Sequence, residues 1–205
     1  MVKTCFFDLE TEHLIQEFET GRGSMDFRET QARRLKIIPK LNMAVACIIS
    51  YENQSTMLYY EKGQESELIN KLNEFDRIIG HNLFGFDYLV LSPHTKGNIQ
   101  KELQQKTYDT FLALKDASGG MWLGLDELCK LNLGTSKTLN PLDVPKLWRS
   151  GEKEKVKEYC CNDVLMLKKL FLHGKTKGVL KYPVKDHGKT IAIRQLKVPW
   201  MDLDM

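Results

Sequence analysis

The chain has 205 residues, 42% hydrophobic and 28% charged, enough for one sizeable core in a soluble globular protein. No apolar run approaches the roughly eighteen residues of a membrane span, which argues against a membrane protein. Lys and Arg number 30 against 27 Asp and Glu, and the resulting net charge of +3 is too small to signal a nucleic-acid partner by itself.

The first predicted strand is VKTCFFDLE, residues 2–10, rich in β-branched and aromatic side chains. Residues 12–40 mix charge with a Gly-Arg-Gly-Ser break and hold no steady period, so they read as an exposed insertion with short helices. Their basic cluster, Arg33, Arg34, Lys36 and Lys40, reads as a solvated face sooner than a phosphate contact. Strands follow at 43–51 and 55–60, then a helix at 65–75 whose stripe is Leu68, Ile69, Leu72 and Phe75. Further strands are predicted at 77–82 and 106–114, and a helix at 125–134 ends on Gly134, a residue suited to a helix stop. The firmest period runs from Glu152 to about Gly174, where Val156, Tyr159, Cys160, Asp163, Val164, Leu167, Leu170 and Phe171 mark one face of a long helix. The tail, 179–200, reads as a hairpin about His187 and Gly188. Three strands, then alternation of helix and strand, then a long helix predict an α/β fold, a mixed sheet covered by helices, in one domain over 1–205.

Five cysteines with no CxxC pair, and no apolar stretch after a basic start, point to a reducing, cytoplasmic setting. Adjacent Cys160 and Cys161 lack the second pair or neighbouring His that a zinc site needs.

Asp8 and Glu10 interrupt the first strand. Two apart, they point to the same side of the pleat, where like charges repel and one carboxyl is driven to keep its proton unless a cation lies between them. Asp87, set among Phe86, Tyr88 and Leu89, reads in isolation as a helix N-cap. Tyr159 and Asp163, four apart, share the apolar face of the long helix, where an unpaired carboxylate is expensive. In isolation Asp163 reads as a buried acid hydrogen-bonded to Tyr159 or to nearby backbone. Together, three segments place acids where the local pattern calls for apolar residues, and such clusters bind hard divalent cations. Two ions can clamp the attacking and leaving oxygens of a phosphodiester, which points to nucleic-acid chemistry.

These residues fall into three motifs: Asp8-Leu9-Glu10 on a strand, Asn82 through Phe86-Asp87 at a strand end, and Tyr159 through Asp163 on a helix. In order and spacing the chain resembles the DEDD, or DnaQ-like, 3′-to-5′ exonucleases of ribonuclease-H-like fold, over about four fifths of its length. Tyr159, with Glu158 where a histidine branch would carry its His, resembles the tyrosine branch, and within it bacterial and phage-type domains that stand alone or are linked to a helicase. The resemblance implies a ribonuclease-H-like sheet flanked by helices on both faces and two divalent ions, Mg²⁺ or Mn²⁺. It implies that Asp8 bridges both ions, that Glu10 and Asp163 complete the site of the one that activates water, and that Asp87 supports the other. Tyr159 would orient the water, since a phenol with a pKa near about 10 is a poor base at neutral pH.

Leu9, Thr11, Asn82 and Phe84 adjoin the motifs and are candidates to contact the terminal nucleotide, Phe84 by stacking; core packing competes for Leu9 and a backbone-holding bond for Asn82. Asp109 is read as a helix cap. In the turn-rich stretch 134–151, Lys137, Lys146, Trp148 and Arg149 suit a path for single-stranded nucleic acid, while Trp148 serves equally as a lid on the core. The expected activity is hydrolysis from the 3′ end of single-stranded DNA, with RNA second, releasing nucleoside 5′-monophosphates. A helicase or polymerase is a partner consistent with it, and a catalytically silent binding or docking module is the alternative.

Overall fold

The computed structural model describes residues 2–19, 27–52 and 57–200. In chain order the elements are β1 (Thr4–Thr11), α1 (Ile15–Phe18), α2 (Phe27–Ile37), β2 (Met43–Ser50), β3 (Met57–Glu61), α3 (Glu65–Asn73) and β4 (Arg77–Gly80). They continue with α4 (Asp87–Leu91), α5 (Ile99–Leu103), β5 (Thr107–Asp109), α6 (Thr110–Ala117), α7 (Leu125–Leu133), α8 (Val144–Arg149), α9 (Lys153–Lys177), β6 (Val179–Asp186) and β7 (Lys189–Lys197). The first five strands form one sheet in the order β3-β2-β1-β4-β5. β1 pairs antiparallel with β2, which pairs antiparallel with β3, whereas β1 with β4 and β4 with β5 are parallel. This is the mixed α/β sheet of a ribonuclease-H-like fold, and β6 with β7 forms a separate antiparallel hairpin.

Alternation along β1 divides its side chains between two cores. Cys5, Phe7 and Leu9 join Leu68 and Leu72 of α3, Tyr88 of α4 and Leu103 of α5 on one face. Phe6 joins the opposite cluster with Leu128 of α7, Trp148 of α8 and Val164, Leu167 and Phe171 of α9. Asp8 and Glu10 continue the Phe6 side, so the pleat aims both carboxylates at α9. The sheet reverses its order at β1, and the carboxyl ends of the parallel strands β1 and β4 open into the crevice where α/β sheets commonly hold ligands.

Three segments differ from the sequence expectation. Of the strand predicted at 106–114 only Thr107–Asp109 is extended, because the Asp109 carboxylate accepts from the Phe111 and Leu112 N–H groups and starts α6. The strand predicted at 77–82 stops at Gly80, and Asn82 turns the chain in the left-handed region with φ 73°. At the end of the 12–40 segment Ile37 and Ile38 are buried on the Leu9 face, while Arg34, Lys36 and Lys40 are exposed. The Gly-Arg-Gly-Ser break at 21–24 and the predicted strand start at 55 and 56 lie outside the described residues.

Candidate metal centre

Asp8 and Glu10 on β1 and Asp163 on α9 each offer a carboxylate oxygen, and these atoms lie within 4.8 Å of one another. The register of β1 against β2, Asp8 opposite Cys47 and Glu10 opposite Val45, holds the two acids on the face that α9 covers. Cys160 of α9 contacts the Asp8 carbonyl at 3.6 Å, which sets helix and strand close enough for Asp163 to reach β1. Asp163 is fully buried, and its Oδ1 has no hydrogen-bond partner. A buried carboxylate oxygen left unpartnered costs about 1–3 kcal/mol or more, so this atom calls for a ligand.

One cation is already present. The Lys137 ammonium lies 2.5 Å from Asp163 Oδ2 and donates to the Tyr159 hydroxyl at 3.1 Å, with the Tyr159 ring 5.2 Å away. Its backbone N–H donates to Asp126, which pins the loop after α7 over the cluster. With all three carboxylates ionised, one ammonium would leave two negative charges, the charge of one divalent ion. Burial and the neighbouring Asp163 push the Asp8 carboxyl up to about 7, although Lys137 and the Leu9 N–H pull the other way. Burial, Asp8 and Asp163 hold Glu10 well above the usual carboxyl range against the pull of Lys137. Burial raises Asp163, opposed by Lys137 and the Tyr159 hydroxyl. The Tyr159 hydroxyl is itself raised by burial, so it stays protonated at neutral pH.

Asp87 stands behind this group. Its carboxylate accepts from the Leu9 N–H at 3.1 Å and does not cap its own helix; it lines a cavity with Asp8 and Glu10 but lies outside the close triad. Burial and the charge of Asp8 raise its pKa well above the ordinary value. Asp109 does more than cap: besides starting α6 it accepts from the N–H groups of Asn82 at 2.8 Å and Phe84 at 3.2 Å, and so fixes the turn that delivers Asp87. Gly85 completes that turn, where a Cβ would meet Asn82 Oδ1 at 2.3 Å.

Two cavities meet at the acids and share Asp8, His81, Asn82, Lys137 and Pro141. The smaller, about 340 Å³, takes in Leu9, Thr11, Leu14, Ile15 and Phe86, and the larger, about 690 Å³, reaches Phe111, Trp122, Asp126 and Asn140. Leu9 is 3% exposed and mostly core; Thr11 donates to the His13 carbonyl at the cavity wall. Phe84 is not brought to the acids: it lines a different depression with Asn98 and Gln100, its N–H held by Asp109, and Phe86 stands at the cavity instead. Trp148 is buried in the core, its indole N–H donating to Glu12, and Arg149 is engaged by Glu17 and the Glu12 carbonyl. Neither lines the two cavities at the acids, and of the basic stretch only Lys137 does.

No protein-family model matches the chain, and no curated protein does. Among solved structures the chain is similar to a family B DNA polymerase from the hyperthermophilic archaeon Pyrobaculum calidifontis, at 16% identity with a TM-score of 0.51. The match covers 87% of this chain and 26% of the polymerase, so the chain spans about a quarter of that protein's length. At this identity the likeness is one of fold. Among the described residues no helix is long and apolar enough to cross a membrane.

Proposed function

We propose that the chain is a divalent-metal-dependent 3′-to-5′ exonuclease acting on single-stranded nucleic acid, DNA ahead of RNA. The observation that carries this reading is the convergence of Asp8, Glu10 and Asp163, with one buried oxygen unpartnered and, among the described residues, only Lys137 as a counter-charge. An all-carboxylate donor set fits Mg²⁺ or Mn²⁺ and not a soft metal. When bound there, a divalent ion supplies a Lewis acid that lowers the pKa of water and offsets charge developing on the phosphodiester oxygens.

The protein's own groups do the positioning. Asp8, Glu10 and Asp163 are the proposed ligands, and Asp87 holds the β1 backbone at Leu9 so that its neighbours keep their aim. Tyr159, protonated and fixed by Lys137, offers a hydroxyl to orient water and does not take its proton. The 340 Å³ cavity, walled by Leu14, Ile15, Leu41, Phe86 and Pro145, suits a terminal nucleoside, and the larger cavity suits the strand leading to it. That arrangement favours a strand end over internal cutting. The fold neighbour is a DNA polymerase, which agrees with a DNA substrate.

Lys137 favours a second reading, in which the ammonium serves as permanent counter-ion and the fold binds nucleic acid without cutting it. One experiment separates the two. Single-stranded DNA and RNA labelled at the 5′ end are incubated with Mg²⁺ or Mn²⁺ beside an Asp8→Ala control. The nuclease reading expects a ladder that shortens from the 3′ end with wild type alone. Intact substrate with both ions, or equal degradation by the control, overturns it.

A further inference from the structure

Of the three tryptophans, Trp148 and Trp200 are 5% and 1% exposed, whereas Trp122 is 68% exposed. Indole rings are on average well covered, because leaving one in water forfeits a large apolar area. A single exposed aromatic is unremarkable on a flat surface, but Trp122 lies at the rim of the 690 Å³ cavity that opens onto Asp8 and Lys137.

Its pose is fixed from both sides. Phe111, itself buried, packs against the indole with ring centres 4.5 Å apart and planes at 61°. The next residue, Leu123, is buried, and its carbonyl accepts from His81 Nε2 at 3.0 Å. Burial holds the His81 pKa down to about 4, so the ring is neutral at neutral pH and the Nε2–H tautomer makes that bond. His81 adjoins Asn82 at the acid site, so the hydrogen bond ties the tryptophan's backbone to the turn that carries Asp87. A ring seated against Phe111 on an anchored backbone has less ordering entropy to lose when a ligand binds.

The cations of this cavity are already engaged. Lys130 is paired with Asp126 at 2.6 Å and Lys137 with Asp163, which weakens phosphate attraction along this wall. What remains to hold a strand is the aromatic face, and bases stack on such faces without regard to sequence. We propose that Trp122 is the stacking platform for an unpaired base on the 5′ side of the scissile phosphate. The proposal rests on the nuclease reading and deepens it: the substrate must be single-stranded where it crosses this cavity, because in a duplex that base is already stacked.

Two measurements test it. In the Asp8→Ala protein, titration with oligothymidylate is expected to quench tryptophan fluorescence, since Trp122 alone is solvent-facing. A blunt duplex of the same length is expected not to. Absence of quenching by the single strand, or equal quenching by the duplex, overturns the platform whether or not the wild type cuts. The second measurement compares cleavage of oligothymidylate with cleavage of the p-nitrophenyl ester of thymidine 5′-monophosphate. Water attacks the same phosphorus in both, releasing thymidine 5′-monophosphate, but the ester carries p-nitrophenol where the oligonucleotide carries its next nucleoside. The ratio of kcat/KM, oligonucleotide over ester, is expected to fall about tenfold in Trp122→Ala through KM and to recover in Trp122→Phe. An unchanged ratio, or a Phe variant no better than Ala, defeats the platform. A wild type that cuts neither substrate defeats the nuclease reading, and the fluorescence result then decides the platform separately.

Discussion

With no metal bound, the Asp8 carboxyl couples folding to pH in a direction opposite to that of a salt-bridged acid. Its value is raised from the usual 3.8 to about 7, so in that window the folded chain holds more protons than the unfolded one. Stability from this group is complete below 3.8 and is lost as pH rises through 7. In EDTA, the urea midpoint should therefore fall between about pH 5 and about pH 7.5, and fall less in Asp8→Asn, which has no proton to release. Equal falls in the two proteins would place the effect elsewhere. Asp109 makes a separate prediction. Its carboxylate accepts four backbone N–H bonds, from Asn82, Phe84, Phe111 and Leu112. Asp109→Ala should cost about 2 kcal/mol in denaturant unfolding, and activity per folded molecule should fall as the turn carrying Asp87 loosens. A loss below about 0.5 kcal/mol would mean that the turn holds itself. The acids were legible in the sequence because each breaks an apolar period. Lys137 was legible only as a basic residue on a path for the strand; its pairing with Asp163 was not, because that contact is created by folding across 26 residues. Phe84 and Phe86 look alike in the sequence; the turn at Asn82, held by Asp109, puts Phe86 and not Phe84 at the cavity of the acids.

At the scale of elements, α9 was legible almost whole, predicted over 152–174 and found over Lys153–Lys177, because its inner face keeps one period through many turns. The stretch 106–114 was not, since its aromatic and β-branched composition favours a strand while one capping carboxylate at Asp109 enforces a helix start. The far end of α9 gives a further prediction. Gly174 sits inside the helix, where alanine is ordinarily better by about 1 kcal/mol. Here a Cβ would meet Trp200 at 2.9 Å and Val198 at 3.0 Å. Trp200 cannot easily yield, being buried, stacked on Phe171 at 5.2 Å and donating its indole N–H to the Phe171 carbonyl. Overpacking of this kind costs about 1–3 kcal/mol, so Gly174→Ala should come out destabilising by about 1 kcal/mol in denaturant titration. Activity per folded molecule should be kept, because the change lies more than two helical turns from Asp163. A stabilised variant would show that the Trp200 segment shifts at little cost.

At the scale of the whole molecule, the carboxylate cluster joins the central strand of the sheet to the longest helix among the described residues, two elements far apart in the chain. The unfolded chain has no such arrangement of Asp8, Glu10 and Asp163, so an ion that binds there binds the folded state alone and stabilises it by mass action. At a hundredfold excess over its dissociation constant the gain is about 2.7 kcal/mol, and for a chain of this length that corresponds to a rise of about 5–10 °C in Tm. Scanning calorimetry in EDTA and at increasing Mn²⁺ should show that rise with the wild type. Asp163→Asn should lose it, since the unpartnered Oδ1 belongs to the group replaced. The same ion should flatten the pH dependence assigned to Asp8, because a bound dication holds the carboxylate ionised and removes the proton that folding otherwise retains. Should Mn²⁺ leave Tm unchanged at every pH, the close approach of the three acids would have to be balanced by protons and Lys137 alone, and the silent binding module would become the better account of the fold.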